Sequence, residues 1–486
     1  MELSLNYAAC NSLVIMTDEQ DGWAMGCAGH PFVRTPHMDS LAARGTRFSQ
    51  AFTPSPICVP ARAAFATGRW VHEIDYWDNA TGYDGRVPGW GHTLQAAGHR
   101  VESIGKLHYQ NGELPTGFDR QHHALHLAEG LGQVWGSVRD PMPREPRQSR
   151  LFHELGPGTS HYNDYDTANA DATARWLHER ASRPDPCPWT LYVGLVAPHF
   201  PLVVPQRFLD AIDIASLPPP RLHPADGFER HPWVQRHADY YDSDAELGTP
   251  ERRRLALACY YALVGFVDEQ IGRILTALAA SGLEGTTRVI LTSDHGDNQG
   301  ARGLWNKSTL YREAVQVPLV MAGPDVPVGR VCETAVNLID IAPTLVQGAG
   351  LAVPEDFSGR SLLDIAQAPH DPQRIAFSEY HAVGSPSAAY MVRQERWSYH
   401  HYVGFEPELF DVKADPGQTR NLARDKNCAG VLTRLERVLR DTLDPEQTDR
   451  RAKADQNRLV ERMGGRDVAL RIGPQGASPA PKPSDA

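Results

Sequence analysis

Short apolar runs alternate with amphipathic helical patterns along most of this chain, an alternation best satisfied by a parallel sheet covered with helices on both faces. Ser12 to Thr17 reads as a buried strand that ends at Asp18-Glu19. Val101 to Gly105 ends at Lys106 and His108, Trp189 to Ala197 at Pro198-His199, and Arg288 to Thr292 at Ser293-Asp294-His295-Gly296. Helices are predicted over Pro36 to Arg44, Cys58 to Gly68, Asp166 to Arg180 and Leu255 to Ser281. The last of these places Leu263, Val267, Ile271, Ile274 and Leu278 on one apolar face. Chemically versatile residues thus gather just past the carboxyl ends of strands, where open α/β sheets build their sites.

The texture changes near Asp364. Strand candidates at Ile375 to Tyr380, Ala389 to Arg393, Trp397 to Tyr402 and Glu408 to Val412 are separated by polar turns, which predicts a small antiparallel sheet. The expected organisation is a catalytic α/β domain over 1–363, a C-terminal α+β subdomain over 364–472 with a charged helix at Glu446 to Met463, and a mobile tail over 473–486 rich in Pro, Ser, Gly and Ala. A net charge of −11 makes nucleic acid an unsuitable partner. Seven cysteines without a C-x-x-C pair suggest neither a disulfide framework nor a zinc knuckle. No Lys or Arg precedes Arg34, the run Leu13 to Met16 is too short for a signal segment, and no run approaches the ~20 apolar residues of a membrane span. A cytoplasmic protein without a membrane partner is the expectation.

Two constellations carry the chemistry. Asp18, Glu19, Asp294 and His295 follow strands in both halves of the sheet, and three carboxylates with an imidazole suit a hard divalent cation such as Ca²⁺ or Mn²⁺ better than structural zinc. An acidic pair in isolation reads as a solvated loop or a helix cap, and it is the placement after an apolar strand that favours a metal. The second constellation is Cys58-Val59-Pro60-Ala61-Arg62 followed by Thr67-Gly68-Arg69. A lone cysteine here would read as an ordinary buried thiol. Arg62, however, lies four residues on, along the same helical face. Lysine occurs only at 106, 307, 413, 426, 453 and 482, arginine being used elsewhere; a lysine is a compact charge suited to an anionic oxygen, and Lys106 and Lys307 are singled out by the resemblance given below. His108 and His199 could move a proton near neutral pH.

On these segments, together with Thr35 to Ala42, Asp78-Asn79-Ala80, Gly303 to Lys307 and Leu409-Phe410-Asp411, the chain resembles the type I sulfatases of the alkaline phosphatase superfamily, and within them the choline-sulfatase and phosphonate monoester hydrolase branch. The resemblance implies an alkaline-phosphatase-like α/β fold, a mostly parallel sheet flanked by helices, with the small C-terminal antiparallel sheet. It implies that a formylglycine-generating enzyme converts Cys58 to formylglycine, whose aldehyde hydrates to a gem-diol. One hydroxyl, bound to the metal, would attack sulfur or phosphorus. The second would then lose its proton, collapsing the hemiacetal ester and regenerating the aldehyde. Asp18, Glu19, Asp294, His295 and the modified Cys58 would hold one Mn²⁺ or Ca²⁺.

By the same resemblance Arg62 would hold the gem-diol oxygens, Lys106 and Lys307 the transferred group, and His108 and His199 would contact that group or assist the leaving alcohol. Asn79 would line the site, although an Asx turn explains it as well. The expected reaction is hydrolysis of a small organic sulfate ester to alcohol and sulfate. A phosphonate monoester hydrolase or phosphodiesterase using the same site is the alternative, and a homo-oligomer is the family habit. Glu19 stands where Asp or Gln is usual, and the tail from Gly464 lacks the aromatic pattern of choline sulfatases.

Overall fold

The computed structural model describes residues 7–147, 149–183, 185–474 and 478–481. Among these, eight strands form the main sheet: β1 (Asn11–Asp18), β2 (Gly45–Phe48), β3 (Val101–Lys106), β4 (Arg120–Leu125), β5 (Thr190–Pro198), β6 (Thr287–Ser293), β7 (Leu319–Ala322) and β8 (Arg330–Cys332). Their order is β8-β2-β7-β6-β1-β5-β3-β4. All pairings are parallel except those of β7, which runs antiparallel to β6 and β2. Strand β1 is central, and alternate residues of it serve opposite cores as a period of two requires. Leu13 and Ile15 join a cluster with Leu263, Val267, Ile271 and Ile274 of a helix, Pro250–Ala280. Val14 and Met16 join a cluster with Ala63, Ala64 and Phe65 of another, Cys58–Thr67. Both faces are covered, so the central strands are buried along almost their whole length, as parallel strands are.

The register of the three central strands builds the site. Asp18 pairs with Pro198 and Thr17 with Ser293, so the carboxyl ends of β1, β5 and β6 finish side by side. Between Met16 and Asp18 the ladder with β5 slips, since Met16 pairs with Gly194 while Asp18 pairs with Pro198. The amides at the slip are taken up by buried Asp166, whose carboxylate accepts from Val196 N at 2.7 Å and from Ala197 N at 2.8 Å. Asp166 sits on the helix His161–Ser182, which begins five residues earlier than the sequence predicts. On the other side, Gly105 (φ +90°) and Gly194 let β3 and β5 close up. A Cβ on Gly194 would lie 2.0 Å from the Lys106 carbonyl oxygen, so the strand that presents Lys106 could not approach a larger residue.

The four C-terminal strands, Ile375–Tyr380, Ala389–Gln394, Trp397–Tyr402 and Glu408–Asp411, pair antiparallel in chain order, as expected. A helix over Ala429–Thr442, not anticipated from the sequence, buries Leu435 and Leu439 against Phe377, Val392, Tyr399 and Leu409 of this sheet. The charged helix follows at Pro445–Arg462. The tail, expected to be mobile from Gly473, begins packed instead: Trp135 Nε1 donates to the Pro474 carbonyl at 3.0 Å, and Ser478 is buried. Residues 475–477 and 482–486 of that predicted tail lie outside the described residues. Among the described residues no helix is long and apolar enough to cross a membrane.

Asp166 gives a direct check on the slipped ladder. Burial pushes its carboxyl up to about 7 while the two amide donors pull it down. In Asp166→Asn one acceptor becomes an NH₂ facing a backbone N–H. The expected loss is about 1–3 kcal/mol of unfolding free energy, measured by urea denaturation, and an unchanged midpoint would contradict the role assigned to this carboxylate.

Candidate active site

Helix Cys58–Thr67 is buried at every position and ends at Gly68, whose φ of +67° is the left-handed cap that a glycine favours. The glycine of Thr67-Gly68-Arg69 is thereby accounted for. The helix points its first residue, Cys58, at the ends of β1 and β6. Cys58 Sγ lies 3.2 Å from His295 Nε2 and 4.0 Å from Asp18 Oδ1. One ligand atom each from Asp18, Cys58, Asp294 and His295 falls within 4.8 Å of the others, all four residues being buried. His295 Nδ1 lies 3.0 Å from the Gly296 carbonyl, a contact that places the proton on Nδ1 and leaves Nε2 as a free lone pair. Asp18, Glu19 and His199 form a second, overlapping group. A buried set of carboxylate, imidazole and cysteine-derived donors fits a divalent cation.

Arg62 contacts partners other than those the sequence suggests. Its Nε donates to Asp294 Oδ2 at 2.8 Å and its Nη2 to Asp18 Oδ2 at 2.7 Å. Nη1 donates to the Lys106 carbonyl at 3.0 Å and to Tyr192 Oη at 2.9 Å. The guanidinium fork therefore ties the two carboxylates together, because α-helical geometry carries it past Cys58 toward the strand ends. Lys106 Nζ pairs with Asp18 Oδ2 at 2.7 Å, and Lys307 Nζ with Glu19 Oε2 at 3.0 Å. Burial alone would raise the Asp18 carboxyl, but the charged Lys106 and Arg62 in contact with it hold it well below the usual range. Glu19 goes the other way: burial pushes it up to about 8 despite Lys307, with Asp297 adding repulsion. Its Oε1 is buried and accepts no hydrogen bond.

His199, between the cis peptides Ala197-Pro198 and Phe200-Pro201, has Nδ1 2.7 Å from the Phe200 carbonyl and Nε2 3.4 Å from Glu19 Oε2. Burial, then Lys307 and Lys106, keeps it well below the ordinary histidine range. Burial and Lys106 do the same for His108, whose Nε2 lies 3.0 Å from Ser478 Oγ. Asn79 does not form a simple Asx turn; its Oδ1 accepts from Val59 N at 3.0 Å, holding the start of the Cys58 helix. Burial, then Asp18, pushes the Cys58 thiol up to about 12. Four residues here, Glu19, His108, Asn306 and Ser308, hold positive φ without being glycine. Strain of this kind gathers at functional sites. Tyr260, which donates to the Glu19 carbonyl at 2.8 Å and accepts from Asp21 N at 2.9 Å, helps maintain it.

The structure therefore brings Asp18, Glu19, Cys58, Arg62, Asn79, Lys106, His108, His199, Asp294, His295 and Lys307 into one buried region. A cavity of about 60 Å³ opens over Cys58, Lys106, Lys307, His108 and His199. Its outer wall is Trp135, Phe200, Tyr241, Trp305, Val383 and Pro474. Trp135, in the short helix Val134–Ser137, and Tyr241, just past the helix Pro232–Tyr240, have side chains that sequence periodicity does not place. Tyr192, Tyr260 and Ser478 escape sequence reasoning as well, since an isolated hydroxyl in a strand, a helix or a tail carries no spacing signal.

A family model described as Sulfatase matches residues 11–351, and one described as N-sulphoglucosamine sulphohydrolase, C-terminal, matches residues 300–444. The choline-sulfatase of Rhizobium meliloti (strain 1021) is 30% identical over 434 residues, covering 85% of this chain and 82% of that protein. Arylsulfatase K of Bos taurus is 29% identical over 444 residues, covering 85% and 78%. Among solved structures, the phosphonate monoester hydrolase of Silicibacter pomeroyi superposes with a TM-score of 0.73 at 25% identity, covering 89% of this chain and 95% of that one.

The donor set predicts a cation-dependent stability. Mn²⁺ or Ca²⁺ at about 100 times its Kd is expected to add ~2.7 kcal/mol, seen as a higher Tm, and Asp18→Asn is expected to abolish the increment. A wild-type Tm indifferent to both ions would exclude the site.

Proposed function

Because this chain belongs to the sulfatase family and is a sulfuric ester hydrolase, we propose that it hydrolyses a small organic sulfate ester to alcohol and sulfate, using formylglycine made from Cys58 and one divalent cation held by Asp18, Asp294 and His295. The observation that carries this reading is the convergence of Asp18, Asp294 and His295 with Cys58 within 4.8 Å, Cys58 itself lining a cavity that Lys106 and Lys307 also line. When present, the hydrated aldehyde would supply an oxygen nucleophile that can later be released by elimination, and the cation would supply charge to acidify and orient it.

The chain's own residues divide the remaining work. Arg62 commits Nε, Nη1 and Nη2 to the two carboxylates, a backbone carbonyl and a tyrosine, so its role is positioning: it helps keep Asp18 ionised and holds Asp18 and Asp294 in their rotamers. Each lysine ammonium has three donors and spends one on a carboxylate, leaving others for sulfuryl oxygens. Arg62, Lys106 and Lys307 stand against Asp18, Asp294 and a Glu19 whose ionisation is disfavoured, so an added divalent cation makes the site positive and suited to an anionic ester. His108 and His199 are held neutral by burial and can accept a proton, His199 through Nε2 because its Nδ1 is engaged by Phe200. Glu19, paired with Lys307 and His199 and set apart from the quartet around Cys58, is assigned to orienting Lys307. No carboxylate lines the cavity among the described residues, so the alcohol part of the ester meets uncharged surface, aromatic and apolar groups together with Gln133, His237 and Asn306.

A second reading rests on the phosphonate monoester hydrolase likeness: the same groups would serve a phosphonate monoester or a phosphodiester. The ratio of kcat/KM for an aryl sulfate and a phenylphosphonate ester separates the two.

Mass analysis of the tryptic peptide Phe48–Arg62, from protein produced beside a formylglycine-generating enzyme, is expected to show the thiol replaced by an aldehyde. Cys58→Ala is expected to fold normally and to lose essentially all turnover. His108→Ala and His199→Ala are each expected to lower kcat by ~10²–10⁴-fold. An unmodified thiol in a fully active preparation would overturn the mechanism.

A further inference from the structure

A second cavity, of about 480 Å³, lies between the edge of the main sheet and the C-terminal sheet and shares no lining residue with the cavity over Cys58. Four arginines line it, Arg47, Arg221, Arg312 and Arg393, against one carboxylate, the exposed Glu333. Arg221 and Arg312 are already matched: Arg221 pairs with Glu313 at 2.8 Å and Arg312 with Asp21 at 3.4 Å. The other two are not. Arg393, only 7% exposed, donates Nη2 to Gln50 Oε1 at 2.9 Å, while its Nη1 is buried with no hydrogen-bond partner. The guanidinium of Arg47, on β2, makes no hydrogen bond or ion pair among the described residues.

A buried guanidinium without a counter-ion costs several kcal/mol in general, and proteins retain such groups where a ligand supplies the missing charge. Burial pushes Arg393 down to about 10, because Asp411 and Glu395 are the acids that oppose it and neither forms an ion pair with it. Asp411 is itself held by Arg396. Apolar groups complete the cavity, Phe48, Phe52, Val317 and Val331 among them. Its volume is in the range of small-molecule sites, and guanidinium forks recognise planar or tetrahedral oxyanions by paired hydrogen bonds.

We propose that this cavity binds a small organic oxyanion, a carboxylate or sulfonate-like head on an apolar body, with Arg393 and Arg47 holding the head and Phe48, Phe52 and Val331 covering the body. The site is separate from the hydrolytic centre, and the proposal does not depend on the reaction assigned there.

Isothermal titration of the full chain with benzenesulfonate and with benzoate tests it, at constant ionic strength. Saturable binding of at least one probe is expected in the wild type. That binding is expected to weaken about tenfold or more in Arg393→Gln, in keeping with the loss of a charge-assisted contact, and to persist in Lys307→Ala, which alters only the first cavity. Turnover of a sulfate ester should be the same in Arg393→Gln as in the wild type. Arg47→Gln, at a more exposed position, is expected to weaken binding too and serves if Arg393→Gln fails to fold. Loss of all probe binding in Lys307→Ala would place the probe in the hydrolytic cavity and overturn the proposal. So would undiminished binding in both arginine variants, or no saturable binding of either probe to the wild type.

Discussion

The guanidinium of Arg62 is the contact on which the centre of this molecule depends. Asp18 and Asp294 end neighbouring strands, both fully buried, and without a cation between them they would repel each other at short range in a low-dielectric interior. Arg62 spans them through two nitrogens, and Lys106 adds a further contact to Asp18. Helix Cys58–Thr67 is thereby pinned over the sheet by an ionic contact at Arg62 as well as by the packing of Phe65 and its alanines. The same contact fixes where Cys58 sits, one helical turn away. Structure and chemistry are therefore hard to separate here, since removing the arginine would release both the metal-type carboxylates and the helix that carries the cysteine.

Strand register does the rest of the assembly. Parallel strands that end level deliver Asp18, His199 and Asp294 to one place from positions nearly three hundred residues apart in the chain. Small irregularities then aim the side chains. The slip between β1 and β5 turns the chain toward His199 and is stabilised by Asp166, and the close approach of Gly105 and Gly194 lets Lys106 reach Asp18. Left-handed Glu19 and His108 re-aim their side chains at the cost of backbone strain, which the surrounding hydrogen bonds offset.

The cavity over Cys58 is small for an ester with a bulky alcohol, and its mouth is built from distant parts of the chain: Trp135 from a short helix, Tyr241 from the end of another, Val383 from the C-terminal sheet region, and Pro474 and Ser478 from the tail. Ser478 is bound on two sides, by His108 through its hydroxyl and by Tyr162 through its carbonyl. In the proposed reaction, selectivity for the alcohol would rest on these residues, which belong to no motif. The oxyanion half of the substrate would meet the motif residues instead.

Much of the site is legible in the amino-acid sequence. Strands running into Asp18, Lys106, His199 and Asp294 declare themselves by apolar runs that stop at charged residues, and the spacing from Cys58 to Arg62 puts both on one face of a helix. Those are local patterns, set by backbone periodicity and by the cost of burying charge without a purpose. What Arg62 touches is not legible there, nor is the separation of Glu19 from the quartet around Cys58, nor the packing of the tail against His108, because each depends on which distant backbone arrives alongside. Fold class thus follows from local pattern, while the set of candidate reactive groups came from motifs that resemble those of a family, both read from the order of residues alone. Three-dimensional packing had to settle which carboxylates Arg62 bridges, which aromatic side chains close the cavity, and that Arg47 and Arg393 line a second one without an ion pair among the described residues, because pairing between segments far apart in the chain is a matter of packing and register rather than of spacing.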